Sequence, residues 1–356
     1  MLSPWAALWL LLAAGLSAQT FPTIAAQADA ARESDHLDEA ADLYRKALAV
    51  RPDWVEGWWY LGTVLYDRDD YKAASTALKK AVDFNPKSAN ALAMLGLCEA
   101  KNEDRQQALK HLQQALAMGV EADRNLVRVV LYTEGTLLLN TGEFGKAQDA
   151  LDRLARKGAD QPELLVALGE AVLGIRPADA GDSERAIEQA GRAELLAARR
   201  ETHAALDAYT QLASDYPKLH NVQFAYGRFL LANHQDEQAV AAFRREIENS
   251  PQHLLARLGI AGTLLTADPK AALPYALEAV RIAPKLEEAH YLLGALLLAT
   301  SSIGKAIPEL EMARRQNPND ARVYFRLERA YMLAHRKEDA ARARAEFTRL
   351  NQIDAK

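Results

Sequence analysis

Cysteine is almost missing from this 356-residue chain. Cys98 stands alone, so no intramolecular disulfide framework and no thiolate-built zinc site is available. Glycine and proline are sparse, at 18 and 13 residues, while 49% of the chain is apolar. That balance excludes collagen-like, low-complexity and disordered classes, because there is enough apolar material to offset the entropy of folding. Positive charge is not in excess either: 43 Lys and Arg stand against 48 Asp and Glu, a formal net charge of −5. Affinity for nucleic acid rests on many phosphate contacts from basic side chains, so no general attraction to it is expected.

Catalytic signatures are also missing. Gly145-Lys146-Ala147 and Gly304-Lys305-Ala306 have neither the glycine spacing nor the hydroxyl of a phosphate-binding loop. No two glycines stand one residue apart, no GxSxG elbow occurs, and the eight histidines never fall four residues apart. These absences imply no enzyme, no metal and no cofactor. Cys98, in Leu95-Gly96-Leu97-Cys98, has no cation beside it in sequence and reads as a small packing residue.

Long apolar runs are confined to the start. The first twenty residues carry no charge, and Trp5 opens a twelve-residue apolar stretch that closes at Leu16, before Ser17-Ala18-Gln19. A membrane span needs about 20 apolar residues. The shorter run reads as a secretory signal over residues 1–18, cut after Ala18. The expectation is a mature protein that is soluble and extracytoplasmic, periplasmic or secreted. An uncut, membrane-anchoring start is the alternative.

What the chain does have is a period. Pro52 and Pro86 are 34 residues apart, and Pro217, Pro251, Pro284 and Pro318 follow at 34, 33 and 34. Ala40, Ala74 and Ala108 are 34 apart, and Ala205, Ala239, Ala272, Ala306 and Ala340 follow at 34, 33, 34 and 34. Gly62 with Gly96, and Gly227 with Gly294, form a third ladder. Within a period the apolar spacing is helical: Trp58, Leu61 and Leu65 mark one face, and Ala74, Leu78 and Ala81 another. The polar residues 67–70 form the turn between two helices, and Pro86 ends the second.

Tyr226-Gly227, Leu230, Ala239, Phe243 and Pro251, and again Leu293-Gly294, Leu297, Ala306, Leu310, Ala313 and Pro318, resemble the tetratricopeptide repeat (TPR) family. The resemblance implies an all-α solenoid of antiparallel helix pairs, a TPR α-α superhelix of about nine to ten repeats. Repeats fall at 21–54, 55–88 and 89–122, then 186–219, 220–253, 254–286, 287–320 and 321–354. A degenerate repeat at 128–161 has Glu134 where Leu is expected. The register breaks twice: Ala108 to Ala147 spans 39 residues, with the excess placed in 120–125, and Ala147 to Ala205 spans 58. The second break holds a predicted extra helix over 164–175, a loop over 176–183 and a helix entry at Ser183. The expected organisation is a leader at 1–18, a three-repeat block at 19–122, an irregular segment at 123–185 and a five-repeat block at 186–356. The last helix, 337–350, is expected to be a charged cap.

The resemblance also implies that the first helix of each pair lines a concave face. At the family's inward positions stand Trp59, Tyr66, Tyr132, Asn221, Phe224, Arg228, Tyr291, Phe325 and Arg329, with Glu56, Glu288 and Arg322 beside them. Aromatics offer stiff contact area, and arginines orient carboxylates. One reading is a groove for a protein or peptide; the other is that these rings fill gaps between first helices. The Lys and Asn clamp of chaperone-binding TPR domains is absent, because Ala25, Asp29, Trp59, Thr63, Ala93 and Leu97 occupy its positions. The leading expectation is a non-catalytic extracytoplasmic scaffold. The alternatives are a signal-anchored envelope subunit, a glycan-binding solenoid, and an enzyme using carboxylates such as Glu163, Glu170 and Asp182.

Overall fold

The computed structural model describes residues 20–120 and 124–354. Among the described residues there are nineteen α-helices and two 3-10 turns, and no strand. The expected leader, 1–18, lies outside the described residues. The chain separates into two compact units, one ending at Ala159 and the other beginning at Asp160.

The first unit is four helix pairs: α1 (Phe21–Glu33) with α2 (Leu37–Val50), α3 (Val55–Asp67) with α4 (Tyr71–Phe84), α5 (Ala89–Lys101) with α6 (Arg105–Ala117), and α7 (Arg124–Thr141) with α8 (Phe144–Arg156). The second opens with α9 (Pro162–Leu173), the 3-10 turns Pro177–Asp179 and Gly181–Ser183, α10 (Glu184–Ala198) and α11 (Thr202–Asp215). Four pairs follow: α12 (Val222–Ala232) with α13 (Asp236–Asn249), α14 (Leu254–Thr263) with α15 (Pro269–Ile282), α16 (Glu287–Ala299) with α17 (Ile303–Gln316), and α18 (Ala321–Leu333) with α19 (Lys337–Asp354).

The proline ladder sets the helix ends. Helices α2, α4, α13, α15 and α17 each stop two residues before Pro52, Pro86, Pro251, Pro284 and Pro318, because the residue before proline is pushed out of helical geometry. The alanine ladder is core: Ala40, Ala74, Ala108, Ala205, Ala239, Ala272 and Ala306 are all fully buried. The glycine ladder sets how closely the two helices of a pair approach. A Cβ on Gly62 would lie 2.5 Å from Leu78, on Gly96 2.9 Å from Leu112, on Gly227 2.6 Å from Phe243 and on Gly294 2.6 Å from Leu310.

Both register breaks have a local explanation. In the first, α7 begins at Arg124, ahead of the repeat start at 128, so part of the excess lengthens a helix; residues 121–123 lie outside the described residues. In the second, the predicted extra helix exists but runs over Pro162–Leu173, ending where Gly174 turns left-handed at φ 64°. Ser183 precedes α10 as expected, yet its hydroxyl caps nothing. It sits inside a 3-10 turn at φ −88°, ψ 3°, not in the extended geometry an N-cap needs. The final helix is four residues longer than expected, reaching Asp354.

Helix α9 packs on α10 closely enough to need glycine on both sides. A Cβ on Gly169 would meet the Ile187 carbonyl oxygen at 1.9 Å, and one on Gly191 the Leu165 carbonyl oxygen at 1.8 Å. Helix α10 also packs on α11, so one helix serves two hairpins. Cys98 is fully buried in the first unit's core, and burial pushes its thiol up to about 12. It is a packing residue.

Candidate functional site

Within each unit the first helices of successive pairs touch one another: α3 with α5 and α5 with α7, then α12 with α14, α14 with α16 and α16 with α18. Side chains on that face at the fifth and ninth positions of a repeat lie one helical turn apart. In α12 these are Phe224 and Arg228, and in α18 Phe325 and Arg329. The same aromatic-arginine pair thus recurs on two first helices of the second unit.

A fully buried carboxylate holds α12 in place. Glu246, on α13, accepts the backbone N–H groups of Asn221 at 3.0 Å and Phe224 at 3.2 Å, neutralising the exposed donors at the start of α12. His253 Nδ1 accepts the Ala256 N–H at 3.0 Å, which leaves Nε2–H to donate to Asn221 Oδ1 at 2.7 Å. Burial holds the His253 imidazole below its usual range; Glu246 opposes this, while His220 and Arg257 reinforce it. Asn221 Nδ2 in turn donates to the Leu173 carbonyl at 2.6 Å, tying α9 to α12. Asn221, at φ 67°, is therefore spent inside the fold at both ends of its amide. It links helices and offers no amide to a ligand.

The other predicted residues divide by exposure. Phe224 is half-buried against Phe243 and His253, at centroid distances of 5.8 and 4.8 Å, and exposed Arg228 lies 6.0 Å over its ring. Tyr291 is only 8% exposed, and Arg322 covers its ring at 4.6 Å. Phe325 is 47% exposed with Phe347 5.6 Å away, and exposed Arg329 makes no ion pair among the described residues. In the first unit Trp59 and Tyr66 are half-buried at the edge of the core. The Trp59 indole N–H donates to no described group, whereas its neighbour Trp58 donates to the Pro52 carbonyl at 2.8 Å. Tyr66 packs edge-on against Tyr71 at 5.3 Å, and Tyr132 is half-buried on α7. Tyr291 and Arg322 are brought together across α16 and α18, with Arg322 donating to Glu288 at 2.8 Å. No contact joins Phe224 to Phe325.

Arg322 also donates to Asp320 at 2.7 Å. Burial, then Asp320 and Glu288, push the Glu287 carboxyl up to about 7. Burial pushes the Asp320 carboxyl up as well, yet the bonds from Arg322 outweigh it and hold Asp320 below the ordinary carboxylate range. The carboxylates weighed for catalysis do not converge: Glu163 and Asp182 are exposed, and Glu170 is buried, its acid form favoured by desolvation. No group of three or more His, Cys, Asp or Glu able to hold a metal occurs among the described residues. The Glu246 network was missed from sequence. Its signal was a carboxylate in register with the buried Ala239, Ala242 and Phe243 of α13.

The tetratricopeptide repeat model matches residues 25–89, 61–125, 132–198 and 190–254, together more than half of the chain. The chain belongs to the tetratricopeptide repeat family. Two of the TPR matches overlap on α10, the helix shared by two hairpins. No curated protein is a detectable sequence relative. Among solved structures, MamA 41-end from Desulfovibrio magneticus RS-1 is similar at 22% identity, covering 49% of this chain and 97% of its own, with a TM-score of 0.42. The MamA RS-1 ArsTM double mutant is similar at 21% identity over 49% of this chain and 97% of its own, with a TM-score of 0.45. The APC/C hetero-tetramer Cut9-Hcn1 is similar at 16% identity over 98% of this chain and 69% of its own, with a TM-score of 0.37. No helix among the described residues is long and apolar enough to cross a membrane.

Proposed function

We propose that this TPR protein is a non-catalytic extracytoplasmic scaffold that holds a protein or peptide partner on its first-helix face. The observation that carries the reading is the pair Phe325 and Arg329: a large apolar ring nearly half exposed, with an unpaired cation one turn further on. Within the fold the ring gains only a part of the contact it can make, whereas a partner segment carrying a carboxylate beside an apolar side chain engages both. On α12 the same position holds the half-buried Phe224, with Arg228 6.0 Å over its ring, and the half-buried Trp59 is the corresponding anchor in the first unit. Arg322 differs, being already neutralised by Asp320 and Glu288.

A photo-crosslinking residue at position 325 identifies the partner, and its affinity is then measured with purified protein. Phe325→Ala with Arg329→Ala is expected to weaken binding at least about tenfold, as loss of an interface anchor does, with helicity unchanged. Unaltered affinity rejects the face. The extracytoplasmic part of the reading rests on the uncharged apolar start. Intact mass measurement is expected to place the mature terminus at Gln19; a retained Met1 favours the anchored alternative.

A further inference from the structure

The first unit carries a cavity of about 490 Å³ lined by Arg124, Val127, Arg128 and Lys157. Its polar lining among the described residues is cationic. Arg124 and Arg128 lie one turn apart in the first two turns of α7, and Lys157 follows the last residue of α8. None of the three makes an ion pair or a side-chain hydrogen bond among the described residues, and Arg128 Nε is buried with no hydrogen-bond partner among them. This arrangement works against the fold. The start of a helix carries partial positive charge and favours anions, yet two guanidinium groups stand there with a lysine across the cavity. Like charges held together, one with an unsatisfied buried N–H, destabilise the apo protein unless a counter-charge joins them.

We propose that this cavity binds a small, multiply charged oxyanion. Arg presents a planar fork of donors that matches phosphate and carboxylate oxygens, and the positive end of the α7 dipole favours negative charge in the same place. The volume exceeds what one monovalent carboxylate fills and lies in the range of small-ligand sites. Three converging cations call for more than one negative charge. The site is independent of the first-helix face and uses none of its residues.

Isothermal titration of the full chain at low salt with pyrophosphate, and separately with citrate, tests it. At least one of the two is expected to bind, more weakly as salt rises, and to raise the melting temperature. Binding of pyrophosphate alone assigns a phosphoryl ligand, and of citrate alone a carboxylate ligand. Arg124→Gln with Arg128→Gln is expected to lose at least tenfold in affinity; the exposed Arg124→Gln alone serves if the double variant loses helicity. The proposal is overturned if neither anion binds the wild type, or if the variants bind as the wild type does.

Discussion

Of the described glycines, Gly169 and Gly191 leave the least room for a Cβ, where α9 and α10 meet backbone to backbone. Gly169→Ala is expected to cost about 2 kcal/mol or more, since a helix must move to admit one methyl group. Gly304→Ala, with open space around it, is expected to be neutral or slightly stabilising. Urea midpoints of the two variants check the contrast. Glu287 makes a different prediction. Its carboxyl titrates near pH 7 in the folded state against an ordinary value of 4.5, so the folded state binds the proton more tightly than the unfolded chain does. Stability from this site is fully present below pH about 4.5 and is lost as pH rises through about 7. Glu287→Gln is expected to gain on the wild type at pH 8 relative to pH 4, read from unfolding midpoints at both.

The recurring element is a helix pair joined by a turn with one left-handed residue. Asp35, Asp69, Glu103, Arg200, His234, Ser301 and His335 all have φ between 59° and 64°, and Gly142 occupies the same place in the fourth pair. Seven non-glycine residues in that region show that the helix packing dictates the turn, since the side chains alone disfavour it. The ladders of proline, alanine and glycine made the pairs legible, but this turn left no composition signal because its residues share no chemistry. Helix α12 depends on a partner element in another way: its N-terminus is closed by Glu246 from α13. Glu246→Ala is expected to cost about 3 kcal/mol, the scale for losing bonds to a buried charged group. Amide exchange should show α12 opening first.

At the scale of the molecule, stability is distributed. The buried residues of the second unit fall into separate clusters around α10–α12, around α13–α14 and around α16–α18. Each helix packs mainly on the one before and the one after, so a defect is felt most by its neighbours. Leu310→Ala on α17 is expected to lower exchange protection most in α16 to α18 and least in α9 and α10. Equal loss along the unit would show one cooperative core instead. The anion cavity belongs to this scale too, because α7 and α8 contribute to it jointly.

The thirty-four-residue period fixed the helix class, the pairing and the helix ends without any structure, because proline, alanine and glycine each do one job that no other residue does as well. It also placed Phe224, Arg228, Phe325 and Arg329 on the first helices, since helical register alone decides which side a residue takes. Burial was another matter. Tyr291 and Phe325 hold the same repeat position, yet Arg322 covers one, while the other lies against Phe347 and stays 47% exposed. Asn221 stood at an inward position and became a link among α9, α12 and α14. Such outcomes depend on which side chains from distant repeats arrive at one place, and a local pattern carries no record of that.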